Sequence, residues 1–193
     1  MKRLFFAAKA GHTGALDPLA TGVLPICLGE ATKFSQYLLD SDKAYMSTFR
    51  FGLATDTCDS DGEVIRQASP AKITRSDVEA AMAKYRGPIK QVPPMYSALK
   101  QNGTPLYKLA REGKEVEREA RAVTIHDYRL LDFTAGEEAS AQVLISCSKG
   151  TYVRSLAHDL GEDLGVGAHV CSLRRVATGE FAIDDAVSIE SLT

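Results

Sequence analysis

Between Gly11 and Pro25 the chain reads Gly-His-Thr-Gly-Ala-Leu-Asp-Pro-Leu-Ala-Thr-Gly-Val-Leu-Pro, and no other run limits the backbone so strongly. Glycines at 11, 14 and 22 admit positive φ or a close approach of the main chain to a neighbour. Pro18 fixes its own φ and biases Asp17 away from helical φ/ψ. The run therefore presents one carboxylate on a stiff, sharply bent loop, with no second acid inside it. The plain structural alternative is an Asp-Pro turn between two elements.

Around this loop the sequence alternates strand and helix signals. Residues 31–40 place Phe34, Tyr37 and Leu38 on one helical face. Residues 43–53 alternate as a strand, with Tyr45, Ser47, Phe49 and Phe51 on one side. The turn Asp59-Ser60-Asp61-Gly62 leads into Glu63-Val64-Ile65-Arg66 and predicts a hairpin; it lacks the terminal Glu and the spacing of a calcium loop. Residues 74–86 form the clearest helix, with Thr74 or Ser76 as N-cap, a stripe of Val78, Ala81, Met82 and Tyr85, and Gly87-Pro88 as its stop. A short helix is read over 106–112, paired strands over 123–133 and 139–148 about Gly136, a helix over 151–164, and a final strand and helix start over 181–193. Hairpin-linked strands with interspersed helices predict an α+β domain, a mixed and largely antiparallel sheet with flanking helices.

With 193 residues, 45% of them hydrophobic, residues 1–193 suffice for one domain with a sizeable core. The net charge of −2 excludes a strongly basic nucleic-acid binder, so any RNA contact must rest on a local patch. Candidate cations are Lys2, Arg3, Lys9, Lys100, Lys108, Arg118, Arg121, Lys149 and the Arg174-Arg175 pair, with the acidic run 55–63 turned away from them. Cysteines at 27, 58, 147 and 171 show no C-x-x-C pairing, so neither a zinc site nor a disulfide framework is indicated. His158 and Asp159 point about 100° apart on a helix and are assigned to surface and packing rather than to a catalytic pair. The apolar run at Phe5-Phe6 is too short for a signal peptide and no apolar span reaches eighteen residues, so a cytoplasmic protein is expected.

The loop 11–25 resembles the catalytic-aspartate motif of the tRNA pseudouridine synthase B (TruB) family. Further blocks of that family follow in order: Leu28-Gly29-Glu30-Ala31-Thr32-Lys33, Lys43-Ala44-Tyr45, the run 51–62, Pro93-Pro94-Met95-Tyr96-Ser97-Ala98-Leu99-Lys100, the run 148–156, and Gly167-Ala168-His169-Val170 with Leu173-Arg174-Arg175. The resemblance covers nearly the whole chain and implies the pseudouridine synthase fold. It also implies the isomerisation of a uridine in the tRNA T-loop to pseudouridine, with base flipping, no metal and no cofactor. Its site residues fall on Asp17 as the catalytic carboxylate, Arg154 as its ion-pair partner, Tyr45 stacking on the flipped base, Tyr152 and Leu173 lining the uracil pocket, and His12 touching the RNA. Asp17 is expected to act either as a nucleophile or as a base toward the ribose, and Arg154 to fork onto its carboxylate. The partner is the T-arm of tRNA, bound by a monomer.

The family's usual N-terminal strand with its Lys-Pro loop and its C-terminal RNA-binding PUA domain have no counterpart in these residues, which predicts a catalytic core trimmed at both ends. Two other classes compete: a catalytically weak RNA-binding or assembly protein derived from the fold, and a carboxylate-dependent glycosidase, which needs a second acid near Asp17.

Overall fold

Successive side chains of a strand face opposite ways, and in the segment Lys43–Phe51 one set, Ser47, Phe49 and Phe51, is buried, with Tyr45 half-buried at its end. This strand organises the molecule, which a computed structural model describes over residues 1–192. In chain order the strands are β1 (Ala10–His12), β2 (Ala20–Gly22), β3 (Ile26–Leu28), β4 (Lys43–Phe51), β5 (Leu53–Thr55), β6 (Val64–Gln67), β7 (Gly87–Gln91), β8 (Lys100–Gln101), β9 (Thr104–Pro105), β10 (Arg121–Thr134), β11 (Ser140–Cys147), β12 (Ala168–Thr178) and β13 (Phe181–Ala182). The α-helices are α1 (Ser35–Leu39), preceded by a 3-10 turn over Gly29–Phe34, α2 (Arg75–Ala83), α3 (Leu106–Arg111) and α4 (Val153–Asp163).

A seven-stranded sheet runs β13-β12-β4-β11-β10-β7, with β2 added beside β12. Every pairing in it is antiparallel except β2 with β12, where Leu173, Arg174 and Arg175 lie opposite Ala20, Thr21 and Gly22. One face carries Phe49, Val143, Ile145, Ile125, Tyr128 and Val170, and α2 and α4 cover it with Val78, Met82, Leu156 and Leu160. The opposite face shows Met46, Arg129, Gln142 and Arg174 to solvent. The architecture is the expected α+β one, an antiparallel-dominated mixed sheet with helices packed on it.

Local chemistry accounts for several elements. Thr74 caps α2 reciprocally, its hydroxyl accepting from the Asp77 amide while the Asp77 carboxylate accepts from the Thr74 amide. Beyond α2, Gly87 ends no more than the helix, because Gly87–Gln91 goes straight into the sheet edge as β7. The central strand β12 was not legible as a strand. Bulges after Val170 and Arg175 break its alternation, so Ala168, His169 and Val170 are all buried while Cys171 and Ser172 are both exposed. The expected final strand and helix reduce to β13 and 3-10 turns at Ile183–Asp185 and Glu190–Leu192, while Thr193 lies outside the described residues.

Gly161 sets how closely α4 seats on β12. A Cβ there would lie 2.1 Å from the Ala168 amide nitrogen and 2.4 Å from the Gly167 carbonyl carbon, both rigid backbone. Gly161→Ala gains roughly 1 kcal/mol of helix propensity, but overpacking against backbone costs about 1–3 kcal/mol, and the contact here falls at the upper end of that range. Urea unfolding is therefore expected to show a net loss of about 1–2 kcal/mol, whereas propensity alone would give a gain.

Candidate active site

The loop that carries Asp17 is tied at both ends before it reaches the sheet. β1 pairs with β3, placing Gly11 opposite Cys27, and the Thr13 amide donates to Pro25 O at 3.3 Å. Inside this closed stem the Ala20 amide donates to Asp17 O at 2.8 Å, a tight turn around Pro18 that leads directly into β2. Gly22, at φ +111°, lies so close to β12 that a Cβ would come within 2.1 Å of Arg175 O. Only glycine allows that approach.

Arg175 is the clamp. From sequence it counts among the surface cations, yet it is 2% exposed, with Nε donating to Val23 O at 2.8 Å and Nη1 to Ala15 O at 3.3 Å. The Val23 amide answers by donating to Arg175 O at 2.9 Å. One guanidinium thus holds the loop on both sides of Asp17, a use of arginine that its paired neighbour Arg174, exposed on the other face, does not share.

Arg154, in the first turn of α4, meets Asp17 from the opposite side, Nε to Oδ2 at 2.8 Å. Its side chain is 4% exposed against 35% for Asp17, so the arginine is buried while the carboxylate opens onto solvent. The expected two-pronged grip on Asp17 is not formed. The other nitrogens are taken by Thr57 O at 3.0 Å and Tyr96 O at 2.9 Å, and Asp59 Oδ2 sits 3.4 Å from Nη1. Asp59, 5% exposed, also accepts from Thr57 Oγ1 at 2.6 Å and from the Asp61 amide at 3.1 Å. The acidic run 55–63 therefore does not simply face away; it supplies the buried counter-charge behind Arg154. Gln91 fixes the helix start, its amide group exchanging hydrogen bonds with both Tyr152 N and Tyr152 O at 2.7 and 3.0 Å.

These groups line a cleft of about 670 Å³ in which Asp17, Arg154, Tyr45, Tyr152, Lys43 and Arg175 all take part. Burial, foremost, raises the pKa of Tyr45 and of Tyr152, so both phenols stay neutral at physiological pH and offer uncharged rings. Lys43 is pushed the other way, first by burial and then by Arg175. His12 is exposed at the stem of the loop, its Nδ1 against Gly14 O, and lies outside the cleft wall. Leu173 is 6% exposed and belongs to the core cluster that also takes Tyr45 at its margin. His158 and Asp159 line a second cavity of about 640 Å³ beyond Tyr96, where burial raises the pKa of Asp159 against the opposing charge of His158. Among the described residues no cluster of three or more His, Cys, Asp or Glu is assembled to hold a metal. Of the residues that build the site, Gln91 gave no sign in the sequence, while Asp59 reads there as a turn carboxylate and Arg175 as a surface cation, neither as part of the site.

The TruB family pseudouridylate synthase N-terminal domain model matches residues 2–153, and the tRNA pseudouridylate synthase B C-terminal domain model matches 154–193. Among similar proteins, the tRNA pseudouridine synthase B of Saccharophagus degradans is 64% identical over 192 residues, and that of Pseudomonas aeruginosa 58% identical over 189. These matches take in 100% and 98% of the chain but 61% of each relative, so the chain spans about three-fifths of their length. Among solved structures, a Cbf5-Nop10-Gar1 complex aligns with a TM-score of 0.69 at 30% identity, over 94% of this chain and 44% of that one. An H/ACA RNP bound to a substrate RNA containing 2′-deoxyuridine aligns with a TM-score of 0.66 at 26% identity, over 94% and 42%. With the N-terminal family model matched over residues 2–153, most of its length, the chain belongs to the TruB family of pseudouridylate synthases.

Proposed function

We propose that the chain converts a uridine of the tRNA T-loop to pseudouridine, with Asp17 as the catalytic carboxylate and residues 1–193 as one catalytic domain. The observation that carries this reading is the half-open Asp17 carboxylate, aimed into an aromatic cleft by a buried arginine. The names of the relatives support the same chemistry.

The reaction breaks the bond from ribose C1′ to uracil N1, turns the base and joins C1′ to C5; N1 gains the proton that C5 gives up. Substrate and product are isomers, so the net reaction consumes no oxidant or reductant. Asp17 serves either as a nucleophile on the sugar or as a base toward it, and in both roles Arg154 Nε holds the carboxylate in place. The extruded base stacks on Tyr45, whose neutral ring replaces the lost neighbours, with Tyr152 beside it and Leu173 backing the pocket from the core. His12, on the loop stem outside the cleft, contacts the RNA. Exposed cations, Lys100, Lys108 and Arg121 among them, meet the phosphates, and Arg175 is reassigned from that patch to the scaffold. The protein acts in the cytoplasm as a monomer on the T-arm.

Asp17→Asn keeps the shape and an acceptor for Arg154 Nε but no anion; pseudouridine formation on an unmodified tRNA transcript is expected to fall by on the order of 10⁴-fold while RNA affinity stays within a few-fold. Product from this variant above contaminant level refutes the assignment. Arg154→Lys retains charge but cannot reach Asp17, Thr57 O and Tyr96 O together, so the single-turnover rate should drop about 10²-fold through misplacement of the carboxylate. An unchanged rate removes Arg154 from the site. Tyr45→Phe is expected to bind RNA like the parent, and Tyr45→Ala to lose about 1–3 kcal/mol of stacking; equal binding by both variants assigns the ring to the core alone.

A further inference from the structure

Cys171 falls in the first bulge of β12. Val170 pairs with Phe49 and Ser172 with Thr48, so Cys171 is the extra residue between them and its side chain is exposed. The sulfur nevertheless has a partner, because Sγ lies 3.5 Å from Nε2 of His169. His169 is 5% exposed, and its Nδ1 faces Leu53 O at 2.9 Å. A carbonyl only accepts, so Nδ1 carries the proton of the neutral ring and Nε2 turns a lone pair toward the thiol. A nucleophile, a base and a third group that orients the base are thereby assembled at one bulge of β12, beside the 58–60 segment that bridges to Val170.

The charged and polar groups around the sulfur point the same way. Arg50 of β4 lies opposite His169 in register, with Glu138 on its far side at 3.1 Å, and Ser60 reaches over from the 59–62 turn. Partial burial raises the thiol pKa, but the hydrogen bonds with His169 and Ser60 and the nearby charges of His169 and Arg50 outweigh it and bring Cys171 below the ordinary thiol value. The bond to Cys171 correspondingly raises His169. The other cysteines are protected: Cys27 and Cys147 are buried, and burial pushes Cys58 and Cys147 up to about 11.

We infer that Cys171 is a thiol-modification site for low-molecular-weight disulfides, with His169 as the base that receives its proton. In the exchange the Sγ proton passes to His169 Nε2 and the thiolate attacks one sulfur of the disulfide. The disulfide bond breaks, the departing thiolate takes the proton from the imidazolium, and a mixed disulfide and one free thiol remain. The two electrons lost by Cys171 reside on the released thiol. The site is separate from the cleft chemistry and stands whether or not the chain isomerises uridine.

The test is the rate of labelling of the full chain by dithiobis-nitrobenzoate from pH 5 to 9, with the labelled peptide identified by mass spectrometry. One fast thiol per chain is expected, at Cys171 and absent in Cys171→Ser, with an inflection below the ~8.5 of a free cysteine. Each unit by which the inflection is lowered should raise the rate at low pH about three- to fourfold, since the gain in thiolate outweighs the loss of nucleophilicity. His169→Asn keeps a donor for Leu53 O but nothing at the Nε2 position, and should raise the inflection. The proposal is overturned if Cys27, Cys58 or Cys147 carries the fast label, if the wild-type inflection is at or above ~8.5, or if His169→Asn leaves it unmoved. Should that variant fail to fold, the wild-type pH profile decides alone.

Discussion

Burying a guanidinium is costly unless each of its donors is met, and the way Arg154 is met joins the site together. Its partners come from three distant segments: Asp17, 137 positions away, the Thr57–Asp59 turn, 97 away at Thr57, and Tyr96, 58 away. None of Asp17, Thr57, Asp59 or Tyr96 belongs to the main hydrophobic cluster. They meet at one buried charge that each of them helps to satisfy. Removing one partner from such a buried arrangement typically costs about 3–5 kcal/mol, so the same contacts that aim Asp17 also hold the turn and the Tyr96 segment against α4.

A second buried arginine does complementary work. Arg154 fixes the carboxylate and Arg175 fixes the backbone that carries it, through Ala15 O and Val23 O. The loop has little freedom left. It is stemmed by β1 and β3, crossed by a single turn at Pro18, and added to the main sheet as the parallel strand β2. A loop built in this way presents its acid with little reorganisation, which is the condition under which one side chain can serve a reaction that needs accurate placement.

The sheet explains why both arginines arrive at one cleft. Arg154 rides on α4, which packs on β12, and Arg175 lies on β12 itself, directly across from Tyr45 of β4. The residues matched by the C-terminal family model thus contribute both arginines and the strand β12 to a sheet whose other strands, β13 apart, come from the N-terminal match. Neither segment builds the cleft alone.

Local rules were sufficient for much of this. The period-2 run of β4, the capping box at Thr74, the Gly136 hairpin and the Gly- and Pro-constrained loop around Asp17 are all written in neighbouring residues, because the forces that shape them act over a few positions. Four of the six residues singled out, Asp17, Tyr45, Tyr152 and Arg154, line one cleft, while His12 stands outside it and Leu173 lies in the core behind it. Distance in sequence hid the rest. β12 reads as no strand because two bulges, seated among β4, β2, β13 and the 58–60 segment, break its alternation. Asp59 and Arg175 look like surface charges until the sheet buries them, and Gln91 gives no sign that its amide grips the Tyr152 peptide 61 positions away. Sequence determined the shape of the loop and the identity of its acid; which charges are buried beside it was decided only by tertiary packing, since burial depends on partners that the chain brings together from far apart.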